Sequence, residues 1–359
     1  MSVENALTYR GVVSHGLNGF QALKPAWDSI VNGSDSHYVH SFDWPFSKLS
    51  CMDSKPEDFM AVSIYRGEVP VAIVPLSLTK KTKRFGPFSF SVRILTLYSP
   101  DEMGVSDIVL RPREVNSLIF RALIQALKGM HWHLLCFKNV PESSYCRDFL
   151  ESCGHTYSKK YSHPSKYIDT QQSFDALISD LKKKFVRNVR RKYRRLEERG
   201  EISFKTYQDE AGAGIGLQHF LDVESSGWKG VKGHGIQQRP DALSMYQYLT
   251  TCWSSEQKLR INIMFLDNIA VAAQFSVVAG STWYLLKIGY DEAYKESSPG
   301  SLLLQEILRR ACEDKNTSRV SFVTSVSWAN EWKPKSENVN VAYIAKNPIL
   351  NRLLRYVYK

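Results

Sequence analysis

The chain has 359 residues, too long for one typical domain and enough for two. Its 43% hydrophobic and 12% aromatic content excludes a disordered composition, and a net charge of +11 calls for an anionic partner: a small ligand, a nucleic acid or a membrane surface. No apolar run reaches the roughly 18 residues of a membrane-spanning helix. The opening MSVENALTYRG carries an early Glu and no apolar stretch, so a cytoplasmic location without a secretory leader is expected. Cys51, Cys136, Cys146, Cys153, Cys252 and Cys312 show neither a Cys-x-x-Cys pair nor zinc spacing, which predicts reduced thiols and no metal.

Residues 20–55 read as an entry helix and loop. Two apolar strands follow at 59–66 and 69–78 around the Gly67-Glu68 turn, then a basic loop at 80–86 and a strand at 90–98. A helix is predicted over 113–129, a strand over 131–138 and a short helix over 143–153. A second cycle begins near 166: a helix at 173–199, a strand at 201–207, and helices at 211–226 and 240–254. Strands follow at 258–266 and 269–279 around Asp267-Asn268, then a strand at 282–290, a helix at 299–314 and a strand at 319–323. Strands alternating with helices define an α/β fold with mixed sheets flanked by helices. The element order repeats, so domains are expected at 1–166 and 167–359. The join is placed near Tyr167, after the polar SKKYSHPSK.

The most charged stretch is LKKKFVRNVRRKYRRLEERG at 181–200. Phe185, Val189, Tyr193 and Leu196 form one apolar stripe, and Lys183, Arg187, Arg190, Arg191 and Arg194 spread over the other faces. That pattern fits a solvated face, a contact of Arg187 and Arg190 with an anionic acceptor or donor phosphate, or a nucleic-acid surface.

The most informative stretch is WYLLKIGYDEAYKESSPGSLLL at 283–304, a strand, a loop and a helix opening at Ser298-Pro299-Gly300. Pro suits the first helical turn, Gly permits close approach of a ligand, and free N–H groups at a helix start favour a phosphate. The stretch resembles the C-terminal half of GNAT-type acyltransferases of the cellulose-biosynthesis type, found in polysaccharide gene clusters. The shared features are Lys287, Tyr290, Asp291 and the Ser-Pro-Gly turn, with RRKYRRLEERG at 190–200 and Glu224, Trp228, Lys229, Gly230 and Gly233 upstream.

The resemblance implies two tandem GNAT-like domains, as in the related Fem-type peptidyltransferases, and acyl transfer from acyl-CoA, most simply acetyl-CoA. Its pyrophosphate would meet the helix start formed by Ser298, Pro299, Gly300, Ser301 and Leu302 through the backbone N–H groups available there, with oxyanion donors on the strand around Ile288. Glu224 and Asp291 are the candidate bases, supported by Lys287. Trp228 and Lys229 are candidate acceptor contacts, although Trp228 and Trp283 also suit packing, and His234 is a further candidate base. The last strand departs from the family: SFVTSVSW at 321–328 places Ser321 and Val326 where relatives carry acids, while Trp332 and Lys333 are retained. The expected function is acyl-CoA-dependent N- or O-acyl transfer to a sugar, amino acid or carrier-bound metabolite. Alternatives are a Fem-like transferase using aminoacyl-tRNA, a reading that makes tRNA a partner, and a non-catalytic binding protein. Peripheral contact with an anionic membrane fits the charge.

Overall fold

The computed structural model describes residues 8–31, 37–51, 58–85, 88–100, 104–112, 114, 116–153, 157–227 and 235–347. Two compact units divide the chain: Met1–Pro164 with Glu337–Lys359, and Ser165–Ser336. Both are mixed α/β structures with helices on a mixed sheet.

In the first unit β1 (Tyr9–His15) leads to helices α1 (Gly16–Gln21), α2 (Lys24–Val31) and α3 (Asp43–Leu49). Strands β2 (Phe59–Arg66), β3 (Val69–Phe85) and β4 (Phe88–Leu97) continue an antiparallel meander from β1, and β5 (Val109–Leu110) pairs with β3. Helix α4 (Ser117–Ala126) crosses to β6 (Leu134–Pro141), which runs parallel to β4, and α5 (Tyr145–Ser152) follows. The predicted basic loop at 80–86 is instead strand to Phe85: Lys80, Lys81 and Thr82 pair with Arg93, Val92 and Ser91. Lys80, Lys81 and Thr82 are exposed there, and the hairpin with β4 satisfies their backbone.

Period-2 alternation fills both faces of this sheet. Met60, Val62 and Ile64 pack in one cluster with Ile119, Phe120 and Leu123, while Phe59, Ala61 and Ile73 join Phe20, Trp27 and Ile30 in another. A buried carboxylate ties this unit's loops together. Asp107 accepts from the N–H groups of Ile108 (2.8 Å), Tyr145 (3.0 Å) and Cys146 (2.6 Å), and its Oδ2 lies 2.8 Å from His40 Nε2. Two of these donors are the first N–H groups of α5, so Asp107 caps that helix from a distant loop. Burial pushes the Cys146 thiol well above its ordinary value.

The polar stretch read as the join is strand β7 (Ser158–Asp169). In the second unit the predicted helix 173–199 is two, α6 (Phe174–Ser179) and α7 (Lys183–Glu197), with Leu181 between them turned into the core. Strand β8 (Ile202–Tyr207), helices α8 (Glu210–Ser226) and α9 (Pro240–Ser255), and strands β9 (Leu259–Leu266), β10 (Ile269–Ala279) and β11 (Thr282–Tyr290) follow. Strands β8 to β11 form an antiparallel run. Asp267 and Asn268 both take positive φ, 48° and 66°, as a tight hairpin turn requires. Helix α10 (Pro299–Glu313) crosses to β12 (Arg319–Ser321), which is parallel to β11 and antiparallel to β7, and β13 (Lys335–Ala345) ends the described chain, paired with β6. Four antiparallel strands, a helical crossover and a parallel strand thus recur in each unit. Leu302, Leu303 and Leu308 of α10 pack with Met264, Trp283 and Leu285, and α7 adds Val189 and Leu196. The other face carries Phe220, Tyr246 and Trp253 around Phe275.

Candidate active site

Strand β11 is paired on both sides for its first third and on one side afterwards. Only Thr282–Tyr284 pair with β12; from Leu285 to Tyr290 its described strand partner is β10 alone. Among the described residues no strand pairs with the backbone toward β12 along that stretch, whose N–H and C=O groups on that side are candidates for a ligand. The register also breaks here. Leu285 lies opposite Ser276 and Lys287 opposite Phe275, so Leu286 is an extra residue, a β-bulge. One inserted residue exchanges the faces of all that follow. Trp283 and Leu285 belong to the core with α10, whereas Lys287 and Gly289 meet α8. Ile288 and Tyr290 turn to the start of α10, each 3.7 Å from where a Cβ on Gly300 would stand.

Lys287 Nζ lies 3.7 Å from Glu224 Oε1, and Glu224 is 3% exposed. Glu224 Oε2 accepts from the Ile236 N–H at 2.9 Å, while Oε1 accepts no hydrogen bond among the described residues. A buried carboxylate oxygen without a donor is costly and is ready to receive one. The close approach of α8 favours glycine at 289, where a Cβ would stand 3.2 Å from Glu224 Cα and push the helix back by a few tenths of an ångström. Asp291 sits at the strand end, with its N–H on the Val271 carbonyl at 3.0 Å. Its Oδ1 accepts from the Ala293 N–H at 2.9 Å and so shapes the turn leading to α10.

At that helix start Ser298 is left-handed, φ 49° and ψ 56°, and its side chain does not cap the helix. Helices α4, α5, α6 and α8, by contrast, are capped by Asn116, Ser144, Ser173 and Asp209. The hydroxyl of Ser298 instead accepts from Lys192 of α7. The N–H groups of Ser301 and Leu302 turn inward to the Ser298 carbonyl, at 2.9 and 3.3 Å, and Pro299 has none. The open group of the turn is thus the Gly300 N–H, with the Ser298 hydroxyl and the Lys192 ammonium beside it.

Arg187 and Arg190 are exposed on the outer side of α7, away from its buried Val189 and Leu196, and make no ion pair among the described residues. Trp228, Lys229, Gly230, Gly233 and His234 lie outside the described residues. Trp283 is a packing residue, its indole N–H on Ser276 Oγ at 2.7 Å. At the two positions where the resemblance leads one to expect acids, Ser321 Oγ accepts from the Val323 N–H at 3.1 Å and the Val326 carbonyl accepts from Lys166 at 3.1 Å. Val323 has φ 63°, a strained value for a β-branched residue. Trp332 packs edge-on against Phe185 at 5.2 Å, and Lys333 bonds Asp180. Among the described residues no cluster of three or more His, Cys, Asp or Glu could hold a metal. Sequence reasoning missed Lys192, one cation among many on its helix, and the spacing role of Gly289.

Residues 183–333 match the family model for the acetyltransferase (GNAT) domain, so the second unit carries a domain of that kind. No curated protein matches the chain in sequence. Three solved structures share the fold of nearly the whole chain. One is the C-terminal domain of a protein assigned as a lysylphosphatidylglycerol synthetase from Agrobacterium fabrum: TM-score 0.57, 12% identity, 94% of this chain and 95% of that one. FemX gives a TM-score of 0.55 at 11% identity over 94% and 98%. A conserved protein of unknown function from Bacteroides thetaiotaomicron gives 0.53 at 12% over 90% and 97%.

Proposed function

We propose that the protein is an acyl-CoA-dependent N- or O-acyltransferase of the polysaccharide-cluster kind. In this reading it takes acetyl-CoA and acts on a sugar, amino acid or related small metabolite, with a GNAT-like domain in each of the two units, the C-terminal segment from Glu337 belonging with the first. The observation that carries this is the open side of β11 from Leu285 to Tyr290, beside an uncapped helix start. The thioester lies along that edge with its carbonyl oxygen on a strand N–H near Ile288, and the pyrophosphate reaches Gly300 N–H, Ser298 and Lys192. Glu224 Oε1 takes the acceptor's proton as its nitrogen or oxygen attacks the carbonyl carbon; the new C–N or C–O bond forms, the C–S bond breaks, and the thiolate leaves with the coenzyme and is then protonated. Lys287 contacts the acceptor, and Asp291 supports the loop or serves as the second base.

Gly300→Leu tests the donor site. Its Cβ would stand at ordinary contact distance from Ile288 and Tyr290, so the fold is expected to survive while the longer side chain covers the open N–H. CoA affinity by calorimetry should fall at least about tenfold, the loss of one charge-assisted hydrogen bond. A folded variant with unchanged affinity removes this site.

A second reading, an aminoacyl-tRNA donor, draws on the outward arginines of α7, and a third makes the protein a non-catalytic binder because Ser321 and Val326 replace acids. Native mass spectrometry after gentle purification separates them. Retained CoA supports the first, tRNA the second, and neither the third.

A further inference from the structure

We infer that one flank of α7, formed by Lys192, Arg195 and Arg199, holds a phosphomonoester on the donor's ribose, so that the protein distinguishes coenzyme A from its 3′-dephospho form. The inference rests on the acyl-CoA reading above and goes beyond it by assigning a second phosphate contact.

The spacing i, i+3, i+7 places these cations on one side of α7 and its C-terminal turn, separate from the outward row of Arg187, Arg190 and Arg194. Two contacts fix where that side looks. Lys192 donates to Ser298 Oγ, and the Arg199 guanidinium lies 5.1 Å over the Tyr294 ring. Tyr294 and Ser298 belong to the segment that leads into α10. Arg195 stands between the two, one turn beyond Lys192, exposed and without an ion pair among the described residues. The flank extends about 10 Å along the helix axis from Lys192 to Arg199.

Its electrostatics are unfavourable as they stand. Lys192 is held against the positive end of the α10 dipole, and three like charges follow one another along that side; none of the three forms an ion pair among the described residues, although Glu198 stands one turn from Arg195. A dianion reverses the sign of both terms. Coenzyme A carries two phosphate groups separated by a ribose: a pyrophosphate in the chain and a monoester on the sugar. The first meets Gly300 and Lys192; the second falls to Arg195 and Arg199, whose planar guanidinium groups match phosphate oxygens. The Tyr294 ring fixes the plane of Arg199.

Calorimetry with coenzyme A and 3′-dephospho-coenzyme A on the full chain tests this. The wild-type protein should bind coenzyme A about tenfold more tightly. Arg195→Gln, at an exposed position, should remove most of that preference by weakening coenzyme A alone, whereas Arg194→Gln on the outward row should retain it. Equal wild-type affinities, or an Arg195→Gln loss shared by both nucleotides, overturns the assignment and leaves the acyl-CoA reading standing. Failure to bind either nucleotide overturns both.

Discussion

Replacing Glu224 by Gln is expected to lower turnover by roughly 10²–10⁴-fold, the usual loss when a general base is removed. The fold should tolerate the change. A Gln side-chain carbonyl can still accept from the Ile236 N–H, now 2.9 Å from Oε2. The other position becomes an NH₂ group facing Lys287, where Oε1 now lies 3.7 Å from the ammonium. That NH₂ has no lone pair to offer an acceptor proton. If acceptor deprotonation is the step lost, raising the pH restores part of the rate by supplying acceptor already deprotonated. Asp291→Asn separates the two carboxylates: an amide oxygen can keep the bond to the Ala293 N–H, so a turn-shaping role changes mainly the donor KM. Lys287→Met should move acceptor affinity more than the chemical step. A thiol-release assay over amino sugars and amino acids comes first. If a responsive acceptor is found and both carboxylate variants keep full activity, the mechanism is wrong, and catalysis rests on positioning and the oxyanion donor.

Asp107→Ala is expected to destabilise the protein by roughly 3–5 kcal/mol, the range for breaking a buried charged network by removing one partner. Three main-chain N–H groups and the His40 ring converge on this carboxylate, and both side chains are under 10% exposed. Alanine strips the first two donors of α5 of their acceptor and leaves His40 buried beside a void. Asp107→Asn should fall between, since its amide keeps one acceptor oxygen and sets an NH₂ against the remaining donors. Chemical denaturation followed by fluorescence measures the loss; a shift below about 1 kcal/mol for Asp107→Ala would show that the network contributes no more than an average hydrogen bond.

Elements with a strong local pattern were legible from the residues. Helix α10 announces itself by Pro299 and an apolar run, and the β9–β10 hairpin by Asp267-Asn268 between apolar strands. The strand β3 extension and the polar β7 were not: the composition of each resembles a loop, and what makes them strands is pairing, of the first in a hairpin with β4 and of the second with the distant β12. The break between α6 and α7 carries no Gly or Pro; the burial of Leu181 decides it. At the site, Glu224 and Lys287 were chosen separately from the family-like segments. Their meeting depends on Leu286 and Gly289, and neither a bulge nor a close helix approach has a side-chain signature. The Ser-Pro-Gly turn was visible as a helix start, but the inward turn of the Ser301 and Leu302 N–H groups is a matter of backbone angles.

The bulge at Leu286 also divides β11 into two stretches under different selection. Up to Leu285 the alternation serves the core, and a change there is judged by whether the unit folds. After Leu286 the phase is reversed, and Lys287 and Gly289 answer only to what lies against α8. Chemistry can therefore drift in the second stretch without disturbing the packing written in the first. Pairing Leu286 with Phe275 instead, with no bulge, would give one phase along the whole strand, turning Lys287 toward the leucines of α10 and an apolar Ile288 toward Glu224. A slip of one residue would then erase the site while leaving every side chain in the unit unchanged in kind.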